Sequence, residues 1–174
     1  MAHPTTAAPA PQPHAHARDT REMVFFGGVY GAVLASSMVA ALIEHGHNSA
    51  SSRRYDALWV LVTALASALA HGYAHYIAER TPQRRWEAVR AVCDEWPLVA
   101  VVLPTVFLLA GAGWGWWPAT GVESQAFGLN IVILFTLGLI AARGQSRSWP
   151  SAIRLGTTDA LLGVLVVVAN ALIK

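Results

Sequence analysis

The chain has 174 residues, of which 55% are hydrophobic and only 13% charged. A soluble domain carries about 25% charged residues, so this composition argues against a water-soluble globule and against a disordered chain. The single cysteine, Cys93, leaves no intramolecular disulfide. A net charge of +2, with no phosphate-binding loop or nucleotide fingerprint, gives nucleic-acid binding no support.

Residues 1–21 contain the stretch MAHPTTAAPAPQPHAHARDT, rich in Pro, Ala and His. It reads as a flexible tail ahead of a domain covering 22–174, because proline at this density opposes a helix and no core can be buried. Charge-free stretches follow at 23–43, 57–78, 97–122 and 124–142, and a fifth at 155–173 is broken only by Asp159. A bilayer-spanning helix takes roughly 20 mostly apolar residues. The absence of period-2 alternation argues against barrel strands. The expectation is an all-α integral membrane bundle of five transmembrane helices, with approximate spans 23–43, 57–78, 97–117, 124–142 and 155–173.

Five spans put Arg18, Arg21, Arg80, Arg84, Arg85, Arg90, Arg143, Arg147 and Arg154 on one side, against Arg53, Arg54 and Lys174 on the other. Basic residues favour the cytoplasmic side, which predicts a cytoplasmic N-terminus, an outside C-terminus and residence in a bacterial inner membrane. Trp86, Trp96 and Trp149 then fall near the inner surface, and Trp114, Trp116 and Trp117 near the outer one. Gly27, Gly31 and Ala35 form a small-residue stripe suited to close helix packing within the bundle or a homodimer. Pro104 predicts a kink in the third span. The loop between spans two and three mixes charges over an amphipathic stretch and reads as an interfacial helix beside membrane lipids.

Ionisable groups inside a span cost at least about 2.5–3.5 kcal/mol for an Asp at a helix centre. Asp159 is therefore a candidate functional acid, the alternative being a cap at the start of the fifth helix with Thr157 and Thr158. His71, His75 and Glu79 are spaced four apart and share one helix face. Such a ladder can bind a metal, relay a proton or supply acid and base groups, and its alternative is hydrogen-bonded packing with a rim carboxylate. Phe25, Phe26, Tyr30, Asp94, Glu95 and Trp96 are expected at the same depth, which suggests a polar pocket. Glu44, His45 and His47 form a second cluster with Asp56 beyond it, best read as a polar loop.

The stretches LNIVILFTLGLIAARGQSRSWPSAIRLGTTDALLGVLVVVANALI and ALASALAHGYAHYIAERTPQ resemble the vacuolar iron transporter family. The resemblance implies five helices, a segment between helices two and three, a dimer and divalent metal transport. Two of that family's membrane acids are replaced: Tyr30 stands before Gly31 where the family has Asp-Gly, and Tyr73 follows Gly72 where it has Glu. Under the transport reading the metal ligands are His71, His75 and Glu79. In size and character the chain also resembles small bacterial integral-membrane terpene cyclases. That implies acid-initiated cyclisation of a prenylated, lipidic small-molecule substrate without a cofactor. Asp159 and Glu79 are then the acids, His75 or Tyr76 the orienting or proton-accepting group, and Tyr30 one of the aromatics around the carbocation. The cyclase is the preferred expectation because the metal acids are replaced while other polar groups remain.

Overall fold

The computed structural model describes residues 13–44, 49–78 and 85–172. They form α1 (Pro13–Glu44), α2 (Ala50–Ala78), α3 (Arg85–Cys93), α4 (Trp96–Gly113), α5 (Val122–Gly144) and α6 (Trp149–Leu172). Five segments are long and apolar enough to cross a membrane: Met23–Ile43, Ala50–Ala78, Val89–Gly113, Val122–Gly144 and Trp149–Ala169. The expected all-helical, five-span architecture is therefore present among the described residues.

Helix boundaries differ from expectation for local reasons: α1 and α2 start earlier, and α4 ends earlier. Helix α1 starts at Pro13, inside the segment expected to be an unstructured tail. Pro13 is the last proline of that segment, and a proline is well placed in a first helical turn. Helix α2 starts ahead of residue 57 because the Ser49 hydroxyl accepts the Ser52 N–H at 3.2 Å, which is an N-cap. This start takes Arg53 and Asp56 into the helix. Helix α4 stops at Gly113 rather than 117. Gly115 and Gly121, both at φ 78°, make the left-handed turns that a side chain resists. Trp117 folds back over Gly111 and donates its indole N–H to the Leu108 carbonyl at 3.0 Å.

Helix α1 is the centre of the bundle. It packs against α4, α5 and α6, and more lightly against α2, while α2–α4 and α5–α6 form the two closest pairs. The buried stripe of α2 runs from Arg53 through Val60, Ala64 and Ala68 to Gly72. That of α4 includes Leu98, Val102, Thr105 and Leu109, and that of α5 includes Ala126, Asn130, Leu134 and Gly138. Small residues set the crossings. A Cβ at Gly72 would lie 2.6 Å from the Val92 Cα and 2.8 Å from the Ala91 carbonyl oxygen, so α3 rests directly on α2. Gly72→Ala is expected to destabilise the protein by about 1–3 kcal/mol, because backbone cannot yield as a side chain does. Thermal unfolding in detergent measures this, and an unchanged melting temperature would contradict the close crossing.

Candidate functional site: a histidine and carboxylate cluster

Helix α2 and the turn ahead of α4 bring together His71, His75 and Glu95. One ligand atom from each lies within 4.8 Å of the other two. The His75 Nε2 is 3.9 Å from the Glu95 Oε1, beyond hydrogen-bond range. The two imidazoles meet edge to face with centroids 5.0 Å apart. His71 and His75 are one turn apart on α2 and so share a face. Glu95 arrives from the turn between α3 and α4. It is buried, whereas His75 is exposed and His71 half-buried. The cluster therefore opens to the surface through His75 and is floored by a carboxylate.

Helix α1 supplies the aromatic wall. Phe26 and Tyr30 both stack on His71 with centroids 5.6 Å away. This contact fixes the imidazole plane. Its Nε2 is buried and has no hydrogen-bond partner. A buried polar nitrogen without a partner is costly, and a metal ion or a water would relieve it. Two imidazoles and a carboxylate form a mixed nitrogen and oxygen set that suits borderline divalent metals such as Zn²⁺ or Fe²⁺. Ligand atoms around tetrahedral zinc sit about 3.3 Å apart, from bonds of about 2.0–2.1 Å. The cluster thus needs only a modest side-chain contraction, and it leaves a fourth position open.

The sequence-predicted residues divide. His71 contacts both His75 and Tyr30. Tyr76 stacks on Tyr73 instead, at 6.4 Å. Glu79 lies outside the described residues, as do His45 and His47. Asp159 belongs to a different helix pair. Its Oδ2 faces Gly138 across the α5–α6 crossing, and its carboxylate is not in the cluster. Nor is it a helix cap. Helix α6 begins at Trp149 and Pro150, which puts Asp159 well beyond the first turn, and the Thr157 and Thr158 hydroxyls donate to carbonyls of their own helix.

The acid that the sequence did not single out as a candidate ligand is Glu95. Its signal was present: α2 ends and α4 begins at the same surface, so His75 and Glu95 flank one connection in an antiparallel pair. Compared with known proteins, the chain matches no family model, no curated protein and no solved structure.

Proposed function

We propose that this integral membrane protein binds a divalent transition-metal ion through His71, His75 and Glu95 and carries it across the bilayer. The observation that supports this reading is the convergence of three ligand atoms within 4.8 Å at one end of a five-span bundle. The donor set is too nitrogen-rich for Ca²⁺ or Mg²⁺, which take oxygen ligands. The excess of arginines at that end favours a cytoplasmic N-terminus, so the cluster would face the cytoplasm of a bacterial cell. Exposed His75 would exchange metal with solvent, while His71 and Glu95 would hold it inside.

A second reading is the acid-initiated cyclisation of a prenylated lipid. It is favoured by the two aromatic rings stacked on His71 beside the buried Glu95 carboxyl. In it Glu95, rather than Asp159, would protonate the alkene or epoxide. Two assays on the purified full chain separate the readings. One is zinc, iron and manganese binding with uptake into proteoliposomes. The other is incubation with farnesylated and epoxyfarnesylated aromatics. Stoichiometric metal with uptake is the expected result. A cyclised product without bound metal would replace the transporter with the enzyme.

A further inference from the structure

Among the described residues, and apart from Ser36, whose hydroxyl bonds the Ala32 carbonyl of its own helix, two further positions in the bundle bury polar side chains. Midway along, Thr105 of α4 donates its hydroxyl to the Asn130 Oδ1 of α5 at 2.9 Å, and both side chains are fully buried. The Asn130 Nδ2 is also buried and has no hydrogen-bond partner. At the far end, Arg53 of α2 pairs with Asp56 at 3.5 Å and with Glu123 of α5. The first position matters most. Asn and Thr commonly join membrane helices by hydrogen bonds, but a buried amide nitrogen left without a partner costs free energy in an apolar interior. A half-turn of the amide exchanges its oxygen and nitrogen, so either atom can face the bundle interior.

We infer that Asn130 and Thr105 form a midpoint station on the route of the cation between the His71–His75–Glu95 cluster and the Arg53 end. This rests on the transport reading above. With the amide turned, its nitrogen donates to the Thr105 hydroxyl and its carbonyl oxygen faces the ion. Thr105 offers a second oxygen, and waters travelling with the ion complete its shell. The spacing fits a transmembrane path. Glu95 and Thr105 are about 15 Å apart along α4, and Asn130 and Glu123 about 10 Å apart along α5, at 1.5 Å per residue. These steps cover most of a hydrocarbon layer of about 30 Å.

Between the cluster and the station the α4 stripe is apolar, with Leu98 and Val102 fully buried. The route is closed in this conformation. Pro104 lies beside Thr105 and lacks the N–H that would bond the Ala100 carbonyl, which makes this the place where α4 bends most readily.

The test uses the full chain in proteoliposomes loaded with a zinc-sensitive fluorophore, with zinc binding measured separately in detergent. In Asn130→Leu, uptake is expected to fall at least about tenfold, the factor given by a barrier rise of about 1.4 kcal/mol. Zinc affinity at the His71 cluster should stay at the parent value and the variant should remain folded, although Thr105 loses its hydrogen-bond partner. Asn130→Asp, which supplies an oxygen in the same place, should keep uptake. Parental uptake in Asn130→Leu overturns the station and leaves the transport reading standing. Loss of uptake together with zinc affinity, or without rescue by Asn130→Asp, assigns Asn130 a structural role and also overturns it. A parent protein that takes up no zinc overturns the transport reading and the route with it.

Discussion

His75→Ala is expected to weaken zinc binding by about 100-fold or more, at least as much as is lost when a residue supporting a metal ligand is removed. His75 is the clean position for this test. Its side chain is exposed, so truncation opens no cavity and leaves the bundle intact. His71→Ala should abolish binding as well, but it also removes the ring stacked on Phe26 and Tyr30 and therefore lowers stability. Glu95→Gln keeps the shape while removing the charge, and should weaken binding without altering the melting temperature. Isothermal titration with zinc reads all three variants. Binding by His75→Ala at the parent affinity would show that the three residues do not hold the metal together.

The largest expected loss of stability is at the other end of the bundle. Arg53 is fully buried, and its guanidinium reaches from α2 to α5, two helices with little other contact. Removing one member of a buried ion pair leaves the partner charges uncompensated and costs about 3–5 kcal/mol. Arg53→Leu should therefore unfold at a far lower temperature or denaturant concentration than the parent. Combining Arg53→Leu with Asp56→Asn and Glu123→Gln should recover part of the loss, because the two carboxylates that face the guanidinium are then neutral as well. The neighbouring Arg54 is exposed, and charge removal by Arg54→Gln should change stability by less than about 0.5 kcal/mol. A mild phenotype for Arg53→Leu alone would mean that water reaches the guanidinium.

Much of this architecture is legible in the sequence because the membrane imposes it. Length and apolarity alone locate five spans, and lipid forbids most other backbone solutions. The ends of those spans are less legible. Ser49 caps α2, and Gly115 and Gly121 turn the chain after α4, yet hydropathy is blind to both signals. The site divides in the same way. His71 and His75 are readable from their spacing, since residues four apart share a helix face whatever the tertiary structure. Glu95 becomes a partner only when α4 packs against α2, and no spacing rule within one helix reveals that. Asp159 is conspicuous in sequence because it interrupts an apolar run, but the α5–α6 crossing carries it to Gly138 and away from the histidines. Asn130 and Arg53 are ordinary by residue type, and only their burial marks them.

The central position of α1 has a consequence for how the protein is made. Of the five spans, the first is the most enclosed, with 56% of its apolar window buried against 17% for the last. Its main neighbours, α4, α5 and α6, are all synthesised after it. Its small-residue face, with Gly27 and Gly31 against Leu98 and its neighbour Pro97, must therefore wait in lipid until much of the chain has been inserted. By contrast, α5 and α6 are adjacent in sequence and can pair as soon as they emerge. The contacts that close the bundle are thus its longest in sequence, and contacts of that kind form slowly. The floor of the site comes later than its aromatic wall: Phe26 and Tyr30 of α1 stack on His71 of α2, the next helix made, whereas Glu95 arrives only with the start of α4.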